Sequence, residues 1–147
     1  MAEEVGLQQA VTALETTRAQ LEALTRQEEA LRFSLQEYAR ARDTMAEYKD
    51  APVGTEILVP IGANSFLFAQ IADVERCIVG LGAEVALDDS IESAIERLEN
   101  RIRQLTTVQE DLLRRIAAME GQANDQAALV QEAYGRAQEE PEGGDGV

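Results

Sequence analysis

The sequence predicts an α+β protein in which a long antiparallel two-helix coiled coil is joined by two central β-hairpins. Residues 3–49 and 90–134 are rich in charge and carry an apolar heptad repeat. Residues 55–87 between them are apolar and poor in charge. Aromatic residues make up only 4% of the chain while Ala, Glu, Gln, Leu and Arg abound, a composition typical of long helices.

The first segment, residues 1–50, predicts a coiled-coil helix. Its a and d positions are mostly apolar over about six heptads, which is long enough for a coiled coil. Pro52 cannot continue the helical hydrogen-bond ladder, so the helix is expected to end by residue 50. The a positions are Leu7, Leu14, Leu21, Glu28, Leu35 and Arg42, and the d positions are Ala10, Thr17, Leu24, Leu31, Tyr38 and Met45.

The central segment, residues 51–88, predicts two β-hairpins in tandem. Four runs rich in apolar strand-forming residues are separated by turn signals, with tight reversals expected at Gly62-Ala63-Asn64 and Gly80-Leu81-Gly82. The expected strands are residues 56–61, 65–71, 76–80 and 84–87.

Both faces of these strands are apolar, so the hairpins need cover. Isolated hairpins are marginal in water, and open apolar strand edges invite aggregation. Burying one Phe, Ile or Leu contributes roughly 1.5–3 kcal/mol, so cover by other chains, and hence an oligomer, is predicted. The residues expected to make the assembly contacts are Ile57, Val59, Ile61, Phe66, Phe68, Ile71, Ile78, Val79 and Val85.

The third segment, residues 89–134, predicts a second coiled-coil helix, capped by Asp89 with Glu92 three residues later. β-Branched residues at a and Leu at d suit a two-helix seam. Residues 135–147, rich in Gly and acidic residues, are expected to form a disordered tail. The a positions are Ile95, Ile102, Gln109, Ile116, Ala123 and Val130, and the d positions are Ile91, Leu98, Leu105, Leu112, Met119, Gln126 and Ala133.

The two helices leave the same central segment, so they are predicted to pair antiparallel. A register that sets every a residue against a d residue pairs positions whose numbers sum to 140, such as Leu7 with Ala133. This register puts Glu28 and Gln109 in neighbouring layers, as a polar pair midway along the seam.

The composition argues against several classes of function. The net charge of −15 disfavours binding to nucleic acid, because phosphates are neutralised by basic side chains. The chain has no histidine and one cysteine, Cys77, which removes the commonest general base and any zinc site. No Gly-Lys-Ser/Thr follows Gly80-Leu81-Gly82, so this is a turn and not a phosphate loop. A protein that is not an enzyme, without cofactor or metal, is expected.

The sequence also bears on location. No run of about 18 apolar residues predicts a membrane span. The first residues are acidic and lack the charged-then-apolar order of a signal peptide. A single cysteine suits a reducing compartment, so a cytoplasmic location is expected.

The central segment resembles the alpha class of the archaeal prefoldin family. The order of helix, double hairpin and helix matches as well, and two hairpins favour the alpha class over the beta class, whose shorter linker has one. The matching residues are Glu56-Ile57-Leu58-Val59-Pro60-Ile61-Gly62, Ser65-Phe66, Val79-Gly80-Leu81-Gly82-Ala83 and Ile91 through Leu98.

This resemblance implies an ATP-independent chaperone that holds unfolded polypeptides and transfers them to a group II chaperonin. It also implies a hexamer with partner beta subunits, two alpha and four beta, in which the hairpins assemble into two stacked β-barrels and six coiled coils project. Clients would be held at the helix ends remote from the hairpins.

At those helix ends the seam has no further helix to cover it, which makes them the candidate client-binding surface. Val5, Val11, Leu129 and Tyr134 lie off the a and d positions and are the better candidates, whereas seam residues there are equally explained as coiled-coil core. The full candidate set is Val5, Leu7, Val11, Leu14, Leu129, Val130, Ala133 and Tyr134. A structural or adaptor coiled coil that binds one folded partner stays open as an alternative.

Overall fold

In the computed structural model, residues 2–139 are described, apart from the side chain of Leu81. The predicted order of helix, two hairpins and helix is confirmed. The elements are α1 (Ala2–Lys49), β1 (Glu56–Gly62), β2 (Ser65–Gln70), β3 (Arg76–Gly82), β4 (Val85–Ser90) and α2 (Ile91–Glu139). They divide into a helix-end unit, within residues 2–32 and 108–139, and a hairpin unit, residues 33–107.

The predicted heptad frame is confirmed, because every a and d residue of both helices is buried or half-buried. In the helix-end unit, Leu24 and Leu112 are among the buried seam residues. The amide Nε2 of Gln109 donates a hydrogen bond of 3.2 Å to Oε1 of Glu28, which joins the neighbouring layers of the predicted antiparallel register.

Each hairpin is a separate two-stranded antiparallel sheet, and the second repeats the first twenty residues later. Glu56 pairs with Gln70 in the first, and Arg76 pairs with Ser90 in the second. Both registers shift at the same place, just before the glycine that ends the first strand.

The second reversal was predicted at Gly80-Leu81-Gly82, but β3 continues through Gly82 and the chain turns at Ala83-Glu84. Ala83 and Glu84 have φ of 49° and 61°, matching 47° and 56° at Ala63 and Asn64 in the first turn. Positive φ at both central residues is the mark of a two-residue hairpin turn whose twist suits the flanking strands.

The predicted cap of α2 was also wrong, because β4 extends to Ser90 and keeps Asp89 in the sheet opposite Cys77. Ser90 is the capping residue, and its Oγ accepts a hydrogen bond of 3.2 Å from the backbone N–H of Ser93. Asp89 instead forms an ion pair of 3.3 Å with Arg97.

At its other end α2 continues through Gly135 to Glu139, five residues beyond the predicted helix end at residue 134. A helical glycine costs about 1 kcal/mol relative to alanine, which is too little to end a long helix by itself. The ion pair between Glu132 and Arg136 spans this position and supports the helix. The rest of the predicted tail, residues 140–147, lies outside the described residues.

Hydrogen bonds tie the segment between the two hairpins to both helices. The phenol of Tyr48 in α1 donates to the carbonyl oxygen of Asp73 at 2.8 Å, and the N–H of Ile91 donates to the carbonyl oxygen of Glu75 at 2.9 Å. Ile71 exchanges backbone bonds with Gly54 and Thr55 and is buried. The helices and hairpins of this unit therefore share one hydrogen-bonded junction.

A charged group lies within the seam of the helix-end unit. Glu28 is buried at an a position and accepts hydrogen bonds from both Arg32 and Gln109. The hydrogen bonds from the Arg32 guanidinium lower the pKa of Glu28, against the opposing effect of burial. The carboxylate is thus kept ionised, with its partners in place.

We expect Glu28 to make stability depend on pH. Its pKa is lower in the folded state than in the unfolded chain, so its contribution is complete above the ordinary pKa of a glutamate and is lost as pH falls through the lowered value. Thermal unfolding of the native oligomer at a series of acid pH values should show a shallower pH dependence for Glu28→Gln than for the native chain. The exposed neighbour variant Glu29→Gln should keep the native pH profile, and an unchanged profile in Glu28→Gln would contradict the assignment.

Gln126 is expected to destabilise the same seam. It occupies a d position, and its buried Oε1 has no hydrogen-bond partner among the described residues. A buried polar atom left without a partner costs about 1–3 kcal/mol. We expect Gln126→Leu to raise the free energy of unfolding by about that amount, measured by urea denaturation at one protein concentration.

The control for this experiment is Gln131→Leu, the same change at an exposed position of the same helix. It should alter stability little. Equal stabilisation by both variants would show that helix propensity, and not the unpaired oxygen, limits the stability of the native seam.

Candidate functional site

The first hairpin presents large apolar side chains to solvent on both faces. Phe68 is 76% exposed, and Leu58, which lies opposite it across the strands, is exposed as well. Val59 and Leu67 are opposite one another and exposed on the other face. A contiguous apolar surface of this kind marks a site of protein–protein contact.

The second hairpin differs, because one of its faces lies against the helices of the same unit. Val79 is only 7% exposed and lines a groove with Tyr38, Met45 and Leu98. The opposite face is open, and Ile78 there is 73% exposed. The hairpin unit therefore offers partners two faces of the first hairpin and one face of the second.

The open face of the second hairpin also carries an ion pair between Arg76 and Asp88. The hydrogen bond from Arg76 lowers the pKa of Asp88, and the same contact raises the pKa of Arg76. Ile78 lies directly opposite Asp88 in the sheet, so this face combines an apolar side chain with a polar pair. A partner surface would need to match both.

Two of the predicted assembly residues are corrected by these positions. Ile71 is buried beside the junction and Val79 is buried against the helices, so neither presents an open surface. Leu58 and Leu67 are exposed as well. Alternation along β1 and β2 places them on strand faces that need cover, but the expected set of assembly residues did not include them. Ile57 is half-buried, and the exposed predicted residues are Val59, Ile61, Phe66, Phe68, Ile78 and Val85.

The helix-end unit exposes a smaller set of apolar side chains. Val5, Leu129 and Tyr134 are each more than half exposed. Leu14, by contrast, is only 7% exposed and belongs to the seam, so its assignment to an accessible surface is corrected. The remaining candidates, Leu7, Val11, Val130 and Ala133, are half-buried.

A groove of about 320 Å³ lies between the two helices of this unit. Its apolar lining comes from Leu7, Ala10, Leu129 and Ala133. Gly6 also lines it, and a Cβ built at Gly6 would meet no other heavy atom within 4 Å. The charged lining residues are Glu3, Glu132 and Arg136.

Within residues 2–139 no group of three or more His, Cys, Asp or Glu side chains is arranged to hold a metal ion. Burial raises the pKa of the Cys77 thiol, and the carboxylates of Asp89 and Asp88 raise it further, which disfavours the nucleophilic thiolate. Among the described helices, none has a stretch both long and apolar enough for a transmembrane segment. The features that stand out are thus apolar surfaces.

Comparison with known sequences identifies the family. A family model described as "Prefoldin subunit" matches residues 17–136. "Prefoldin subunit alpha" of Methanopyrus kandleri is 39% identical over 72 residues, 49% of this chain and 46% of that protein. "Prefoldin subunit alpha 1" of Thermococcus kodakarensis is 38% identical over 87 residues, covering 59% and 60%. The matched stretch thus spans about half the length of these two relatives.

A longer match reaches "Prefoldin subunit alpha" of Pyrococcus horikoshii, at 33% identity over 78% of both chains. Among solved structures, a cryo-EM structure of filamentous PFD from Methanocaldococcus jannaschii superposes with a TM-score of 0.68 at 22% identity, covering 80% of this chain and 97% of that one. A crystal structure of the prefoldin beta subunit from Thermococcus strain KS-1 gives 0.58 at 17% identity, covering 86% and 90%. At such identities the structural likeness concerns the fold, but the family match extends over most of the sequence, and the chain belongs to the prefoldin family.

Proposed function

We propose that this chain is an alpha-type prefoldin subunit that holds unfolded polypeptides at its helix ends without ATP and transfers them to a group II chaperonin. The observation that carries the proposal is the uncovered first hairpin, because Phe66, Phe68 and Leu58 are exposed in a chain of this family. Such a chain is incomplete as a monomer. The adaptor alternative is not favoured by family membership.

The proposed partners of the first hairpin are strands of beta subunits, in a hexamer of two alpha and four beta subunits. Each fully buried Phe or Leu would contribute roughly 1.5–3 kcal/mol to assembly. Closing the hairpins into stacked β-barrels would also remove the open strand edges of β1 and β2, which would otherwise invite aggregation.

Client holding is proposed to rest on Val5, Leu129 and Tyr134 together with the groove of the helix-end unit. An unfolded chain exposes apolar groups, and each helix end would bind them weakly and without sequence register. Several ends acting on one client raise avidity, by about 10²–10⁴-fold when the geometry allows simultaneous contact. Binding to the unfolded state removes it from aggregation without any nucleotide.

As a prefoldin subunit of this kind, the protein would be a non-enzymatic chaperone of the cytoplasm. Support comes from the Cys77 thiol, whose raised pKa does not suit nucleophilic chemistry, and from a composition with no histidine. Acidic helices would also keep loaded complexes apart by mutual repulsion.

Assembly is expected to fail when a charge is placed in the first hairpin. Phe66→Asp would bury an unpaired carboxylate in the subunit interface, at a cost of several kcal/mol. Light-scattering mass measurement of the chain mixed with a beta-type partner should show loss of the hexamer. Phe33→Asp is the matched control, since Phe33 is equally exposed but lies on α1, and it should assemble normally. An intact hexamer with Phe66→Asp would place Phe66 outside the interface.

Client holding is tested by shortening the helices. A chain of residues 11–128 lacks Val5, Leu129 and Tyr134 but keeps both hairpins, so it should still assemble and should suppress aggregation poorly. The measurement is light scattering of several unrelated denatured proteins, without ATP, with full-length and shortened complexes. Loss of the hexamer on shortening would contradict this division of roles. Binding to one folded protein with no suppression would favour the adaptor alternative.

A further inference from the structure

The groove of the helix-end unit lies on one flank of the seam. In an antiparallel pair, the g positions of the two helices share one flank and the e positions share the other. Gly6 and Leu129 are g positions and line the groove. Val11 and Tyr134 are e positions and do not line it. The two flanks at the helix ends are therefore unequal, and one of them is recessed.

The recess has a local cause in the sequence. Gly6 has no side chain at a flanking position, and Ala10 and Ala133 are small residues at d positions beneath it. Leu7 and Leu129 supply the larger apolar walls. Its volume of about 320 Å³ suits one large apolar side chain with neighbouring backbone, rather than a folded partner.

The charge around the groove is mostly negative. Residues 2–17 and 123–139 together carry six carboxylate side chains and one guanidinium. That guanidinium, on Arg136, is paired with Glu132, so its charge is largely balanced locally. On the flank of the groove itself, Asp125 and Glu139 are exposed at c positions next to the g positions, and they leave the surroundings negative.

We infer that this groove selects segments of unfolded chains in which a large apolar side chain is flanked by Lys or Arg, and that it disfavours acidic segments. The apolar side chain would occupy the recess between Leu7 and Leu129, and the flanking cations would lie among the carboxylates. This inference rests on the proposed holding function and adds a preference to it. The complementary charges are the cations of the client segment and the carboxylates at the helix ends.

The first test uses three short peptides that share a central Leu-Phe pair and differ only in their flanks, which are Lys, Ser or Glu. Binding to the full chain assembled with a beta-type partner is followed by fluorescence anisotropy. The Lys-flanked peptide should bind about fivefold more tightly than the Ser-flanked one, and the Glu-flanked one more weakly still. The differences should vanish near 1 M salt, where the Debye length is about 3 Å.

The second test fills the groove or removes the charge. Gly6→Phe places a ring in the recess and should weaken binding of the Lys-flanked peptide about tenfold. Gly121→Phe is the matched control, because Gly121 is also an open helical glycine but does not line the groove. The combined variant Asp125→Asn and Glu139→Gln should reduce the preference for Lys flanks. Neutralising Glu37, Glu47 and Glu96, which are exposed in the hairpin unit, should leave it intact.

The outcomes separate this inference from the proposed function. Equal, salt-independent binding of all three peptides, with aggregation still suppressed, overturns the charge preference and leaves holding in place. Native binding by Gly6→Phe, or equal loss in Gly121→Phe, removes the groove as the binding site. Failure to bind any peptide or to suppress aggregation in the native complex overturns the proposed function itself.

Discussion

The constraint on which the structure depends is that, within residues 2–139, nothing covers the apolar faces of the first hairpin. The helices cover their seam and one face of the second hairpin, but the large side chains of β1 and β2 stay open. Covering these side chains in an assembly would gain free energy. The apolar surface that the single chain leaves open therefore favours association.

Polar residues in the seam favour one alignment of the two helices, at some cost in stability. A purely apolar seam tolerates shifts by a heptad, whereas Glu28 finds Gln109 in one register only. Among the residues that the structure describes, Oε1 of Gln126 has no hydrogen-bond partner, so not every polar seam residue is satisfied in this way. The helix-end unit thus combines one satisfied polar contact that fixes alignment with one weak layer nearer the surface proposed for clients.

Much of this fold was predictable, because heptad periodicity and strand alternation are local patterns. Every predicted a and d residue is shielded, and both hairpins form where turn signals separate apolar runs. The wrong predictions concern features that depend on residues close in space but distant in sequence. The burial of Val79 depends on helices far away in sequence, and Leu14 looks like any other residue near a helix end. The turn at Ala83-Glu84 uses residue types that carry no strong signal for positive φ.

The twenty-residue repeat of the hairpins bears on the ratio of subunits in an assembly. Two hairpins with the same turn, the same register shift and the same strand lengths give one polypeptide two separate two-stranded sheets. In the stacked barrels proposed for the assembly, such a polypeptide would fill two places where a subunit with one hairpin would fill one. Duplication of a short segment, without any new interface chemistry, would then be enough to set the ratio in which unlike subunits combine.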